Sequence, residues 1–123
     1  MYDDVWQQAA RAVRREVIGD DGTATVDTLP AGYQDFVTAT AWGVWARGGP
    51  LSRRDRSLLV LAMTAATGRM GAFRIHLEAA PRAGVTDGEI DELLFQLTAY
   101  CGAPAGTEAS AVLREVRAAR EAV

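Results

Sequence analysis

Apolar residues recur along this chain at helical spacing, and nowhere at the two-residue spacing of a half-buried strand. Val5, Trp6, Ala9, Val13 and Val17 mark one face of a first helix, with Asp3 or Asp4 as its cap and Gly19 as its stop. Arg11, Arg14 and Arg15 occupy its other side. Residues 19–32, dense in Gly, Asp, Thr and Pro, read as an ordered loop. A second helix is expected at about 31–46, with Phe36, Val37, Thr40, Ala41, Val44 and Trp45 as its apolar side, before Arg47-Gly48-Gly49-Pro50 breaks it. From Leu58 to Ala66 only Thr64 is polar, so a helix there is apolar on nearly every side and is expected in the middle of the core. Ser52 and Asp55 offer that helix a weak capping box, and Gly68 a stop. The next helix begins near Arg69 and sets Phe73, His76, Leu77 and Ala80 on one inward face. Gly84 ends it, and Thr86 with Glu89 forms a full capping box for a helix striped with Ile90, Leu93, Leu94, Leu97 and Cys101, all expected inward. Gly102 and Pro104 open a last helix with Val112, Leu113 and Val116 buried and Arg117 paired with Glu121 on the surface. The pattern predicts an all-α fold.

Composition narrows the setting. With 123 residues, 49% hydrophobic and 24% charged, the chain reads as one soluble domain spanning 1–123. A formal charge of −3 and a pI near 5.1, with no basic run, argue against nucleic acid as a partner. All 13 basic residues are arginine, so Schiff-base chemistry through a lysine, and with it pyridoxal phosphate enzymology, is excluded. The single cysteine, Cys101, cannot form an internal disulfide, and no apolar leader opens the chain. The run 58–66 is far shorter than the ~20 residues of a membrane span. The expectation is a cytoplasmic protein without a membrane partner.

There is no C-x-x-C, H-E-x-x-H, G-x-S-x-G or glycine-rich phosphate loop, so any activity has to come from acid–base groups and shape. His76 is the one side chain that ordinarily titrates near neutrality, and its competing reading is a half-buried histidine bonded to a carbonyl. Arg47, Arg69 and Arg74 flank the turns around the central stretch; they read either as solvated charges or as a bidentate carboxylate clamp. Trp42 and Trp45 read as core or subunit contacts, and Cys101 as inert core.

Four segments, VRREVIGD near the start, AWG followed by Trp45 and Arg47, RDRSLLVLAMTAATGR, and above all RIHLEAAPRAGVTDGEIDELLFQLTAYCGAPAG, resemble the γ-carboxymuconolactone decarboxylase family. The resemblance implies an all-α fold of about six helices that assembles into trimers or hexamers, with sites near subunit interfaces and no cofactor. It implies a carboxylate substrate that loses CO₂, with His76 as acid–base and Arg47, Arg69, Arg74, Trp45 and Tyr100 as substrate-binding residues, and no metal. Related alkylhydroperoxidases carry a C-x-x-C whose positions are Arg69 and Ala72 here, so their thiol chemistry lacks its residues.

The decarboxylases carry paired glutamates four and five residues before the histidine, where this chain has Ala72 and Gly71. The pocket is therefore expected to be roomier and less acidic. Three readings stay open: decarboxylation of a carboxylated lactone or related cyclic acid; the same fold acting on a larger, more apolar molecule in specialised biosynthesis, as decarboxylase, isomerase or cyclase; or a non-catalytic small-molecule binding protein.

Overall fold

The structure, a computed structural model, describes residues 2–23 and 28–122; residues 24–27 of the expected 19–32 loop lie outside the described residues. The described chain is all-α, with six helices. These are α1 (Asp4–Ile18), α2 (33–46), α3 (Arg53–Ala66), α4 (Met70–Ala83), α5 (Asp87–Cys101) and α6 (Ala103–Glu121). No described helix is long and apolar enough to cross a membrane. The helices form two compact units, residues 1–52 and 53–123.

In the first unit, Asp3 caps α1 by accepting the Trp6 N–H at 2.8 Å, and Gly19, at φ 90°, ends it in a conformation other residues rarely adopt. Helix α2 is α-helical over Tyr33–Val37, widens into a π turn over Thr38–Trp42, and returns to α over Gly43–Ala46. A π turn inserts a residue into the ladder, and carbonyls within it must find donors. The Trp6 indole N–H supplies one, donating to the Ala39 carbonyl at 2.9 Å. This approach needs a glycine opposite it, because a Cβ on Gly43 would lie 2.2 Å from the indole nitrogen. The arginines of α1 add polar ties to the same helix: Arg11 to Asp35 at 3.0 Å, and Arg14 to the Thr38 hydroxyl, which donates onward to the Gln34 carbonyl, each at 2.8 Å.

The expected buried side of α2 is corrected by this arrangement. Thr38, Ala39, Trp42, Gly43 and Trp45 are buried, while Phe36, Thr40, Ala41 and Val44 are exposed. Periodicity ranks positions by hydrophobicity, whereas the face that α1 meets is chosen for small residues that let an indole lie against backbone.

The second unit is built on an apolar cluster. Leu61 and Ala65 of α3, Phe73, Leu77 and Ala80 of α4, Ile90 and Leu97 of α5, and Leu113 and Val116 of α6 are all buried in it. Gly68, at φ 73°, turns α3 into α4, and Gly84 ends α4 at φ 91°. Thr86 and Glu89 make both bonds of the expected capping box, and Glu89 also pairs with Arg54. Gly106 lets α6 close onto α5, since a Cβ there would meet the Thr98 hydroxyl at 2.0 Å.

Three expectations change here. Helix α3 is not buried all round: Leu61 and Ala65 point inward, but Leu59, Ala62, Met63 and Ala66 are exposed. Cys101 is exposed, because it is the last residue of α5 and the stripe leaves the cluster after Leu97. Arg117 pairs with Asp91 of α5 at 2.8 Å and with Asp87, not with Glu121, because two acids across the helix pair outcompete one on its own helix.

Candidate active site

Helix α4 carries the expected acid–base residue. Phe73, Leu77 and Ala80 anchor its inner face in the cluster, and His76, beside Leu77, is held half-buried. Burial disfavours the charged imidazolium and lowers the His76 pKa from its ordinary value of 6.5. At neutral pH the side chain is therefore a neutral imidazole, able to accept a proton at one nitrogen and donate from the other. Its imidazolium, formed only transiently, is a stronger acid than an exposed histidine's.

The expected arginines have different environments. Arg74 forms an ion pair with Glu115 of α6 and ties α4 to that helix. Arg69 sits at the N-cap of α4, and its exposed side chain makes no ion pair with any described residue. Seven residues separate it from His76, two helical turns or about 10 Å along the axis, so both project from one side of α4. Ala72, one turn before His76, and Gly71 are both exposed, and a Cβ on Gly71 would meet nothing within 4 Å.

Tyr100 is exposed at the end of α5. Trp45 and Arg47 belong to the first unit: Trp45 is buried and stacked obliquely on Trp42, with ring centroids 5.0 Å apart. Arg47 is exposed at the C-cap of α2 and makes no ion pair among the described residues. Thus α4 sets His76 and Arg69 on one side, while Arg74, two residues from His76 and so on another side of the helix, is neutralised by Glu115. No group of three or more His, Cys, Asp or Glu side chains gathers into a metal-ligand set among the described residues.

Sequence reasoning passed over Arg56 and Ser57, consecutive polar residues buried in the first turns of α3, Ser57 at 1% exposure. The available signal was their spacing: Ser57 lies one turn before Leu61, on the face that faces the cluster. It also passed over Trp6, which periodicity placed in the core without the bond its indole makes.

Comparison with known proteins fits these features. Residues 31–115 match the carboxymuconolactone decarboxylase family. The 4-carboxymuconolactone decarboxylase of Acinetobacter baylyi is 35% identical over 121 residues, spanning 94% of this chain and 90% of that protein. The nitrosuccinic acid decarboxylase of Metarhizium robertsii is 36% identical over 110 residues, spanning 84% of this chain and 75% of its own length. With a family match over most of its length and a relative aligned nearly end to end, the chain belongs to the carboxymuconolactone decarboxylase family.

Proposed function

We propose that this protein is a cofactor-free, decarboxylase-like enzyme acting on a carboxylated lactone or a related cyclic acid, with His76 as the acid–base group. One observation carries the reading. A half-buried histidine that burial keeps neutral shares a side of α4 with an arginine that no acid neutralises. Arg69 holds carboxylate charge. The bond from carbon to carboxylate breaks, CO₂ leaves, and the electron pair spreads into the adjacent carbonyl as an enolate. His76 takes a proton from solvent, the imidazolium so formed gives it to the carbon, and the side chain returns to its neutral form.

The two relatives are named for different acids at nearly equal identity, so likeness alone does not select the substrate. The open position at Gly71 favours a second reading, in which the scaffold accepts a larger, more apolar molecule. The test supplies 4-carboxymuconolactone and nitrosuccinate to wild type, to His76→Asn and to Gly71→Glu/Ala72→Glu, and follows CO₂ release. Turnover by wild type that falls about a hundredfold or more in His76→Asn supports the first reading. Turnover only in the double glutamate variant supports the second. Failure of all three proteins on both acids, with the folds intact, overturns the first reading.

We also propose that the chain assembles with copies of itself, as a trimer or hexamer. Leu59, Met63, Ile75 and Phe95 of the second unit are exposed, large apolar side chains that contact with another copy would cover. A monomeric mass by light scattering at micromolar concentration would remove this reading.

A further inference from the structure

The π turn of α2 over Thr38–Trp42 holds one residue more than an α turn. Every position after it is therefore filled by the residue one later in the chain than an unbroken α-helix begun at Tyr33 would place there. Undoing the turn would shift the end of α2 by one residue, about 100° and 1.5 Å. Ala41 would then take the place of Trp42, Trp42 that of Gly43, and Val44 that of Trp45. One of these exchanges is barred. The space over Gly43 is filled by the Trp6 indole, and even a Cβ at that position would come within 2.2 Å of the indole nitrogen, so a tryptophan cannot enter while the ring stays. The same indole stabilises the π turn by donating to the Ala39 carbonyl at 2.9 Å, and the ring of Tyr2 stacks on it with centroids 5.2 Å apart.

The chain on the far side of the turn is built to absorb such a shift. Only one helical turn, Gly43–Ala46, follows, and then Gly48 and Gly49 at φ 78° and 118°, a pair able to take up a one-residue change. The near side is fixed, by Arg11 on Asp35 and by Arg14 on the Thr38 hydroxyl. We propose that α2 is a register switch with Trp6 as its wedge. With the indole seated, the helix keeps its π turn. With the indole withdrawn, it closes into an unbroken α register that carries Trp45 out of its buried place and sets Val44 there. In that register the Trp42 ring moves into the space the Trp6 ring has left, which offsets the burial lost at Trp45. The switch is independent of the chemistry at His76. Its handle is Tyr2, exposed and stacked on the wedge, so that drawing Tyr2 aside frees the indole to move.

Trp6→Ala leaves Trp42 and Trp45 as the two tryptophans of the chain, 5% and 8% exposed in the structure, so indole fluorescence reads the register directly. The expected result is a red-shifted emission and a rise of about twofold or more in quenching by acrylamide, as one of two shielded rings opens to solvent. A second change separates a slip from mere loosening. Deleting Ala41, an exposed residue, removes the extra residue of the turn, so an unbroken helix then holds Trp42, Gly43 and Trp45 in their present places. Added to Trp6→Ala, the deletion should lower the quenching again, whereas a helix loosened by lost packing would open further. In the otherwise wild-type chain the deletion should leave a folded protein by circular dichroism, with the Trp6 indole N–H exchanging faster with solvent because the Ala39 carbonyl is now bonded within the helix. This arm decides the matter should Trp6→Ala not fold. Unchanged quenching in a folded Trp6→Ala, quenching that the added deletion does not lower, or loss of folding on deleting Ala41 alone overturns the proposal.

Discussion

The two units reach stability by different means. In the second, large aliphatic and aromatic side chains from four helices meet in one cluster, centred on Phe73, Leu61 and Leu77, each at most 1% exposed. In the first, the buried aliphatic residues are few and small, Ala10, Val13, Val17 and Ala39, and the helices are fixed by directed contacts. Those contacts are an indole on a carbonyl, arginines on Asp35 and Thr38, and a glycine cut to fit a ring. Non-directional burial tolerates small shifts of one helix on another, because it depends on area. Directed contacts at 2.8–3.0 Å do not. The first unit is therefore expected to be the more exacting of the two about register, and the second the larger source of stability.

Substitutions can break that contrast. The largest effect is expected for Phe73→Ala, which empties the middle of the apolar cluster and should cost about 3–5 kcal/mol, read as a drop in the denaturant midpoint. A loss under ~1 kcal/mol would mean that the cluster is not the main support of the second unit. Next is Gly43→Ala, one methyl group, expected to cost about 1–3 kcal/mol because the indole must move off the helix. Combined with Trp6→Phe the cost should be less than the sum of the two single changes, since both report on one contact; strict additivity would deny the coupling. The smallest effect concerns His76. Its pKa is lowered in the folded state, so between 6.5 and that lower value the unfolded chain binds the proton more readily. Stability should be level above pH 6.5 and decline as the solution is acidified through that window, and His76→Asn should flatten that part of the pH–Tm curve. A midpoint that rose on acidification over the same range would place a charged imidazole in the native protein.

The same contrast decides what could be read from the sequence. The second unit was legible almost throughout: Gly68 and Gly84 as stops, the Thr86–Glu89 box, and the inward set Phe73, Leu77, Ile90, Leu97, Leu113 and Val116 all stand where spacing put them. There a helix face is chosen by hydrophobicity, which is what periodicity measures. The face of α2 was misread because it is chosen by size and by a π turn, neither of which leaves a periodic trace. Cys101 and the outer side of α3 were misread for a related reason. An apolar stripe says that something must cover it, without saying that the same chain does. Of the candidate site, spacing placed His76 beside Leu77 on α4 and Arg69 at the start of that helix, as found. That Arg74 is neutralised by Glu115, while Arg69 and Arg47 pair with no described acid, depends on residues far off in the chain and becomes visible only in three dimensions.

The fit of Trp6 against Gly43 also restricts the order in which this sequence can drift. While the indole stays, any side chain at position 43 collides with it, so glycine there is locked. Once position 6 has become a smaller residue the lock is gone, and a side chain acquired at 43 would then bar the way back to tryptophan. Homologues should accordingly divide into those with tryptophan and glycine together and those with neither tryptophan nor the constraint, and lineages should cross from the first group to the second more easily than they return.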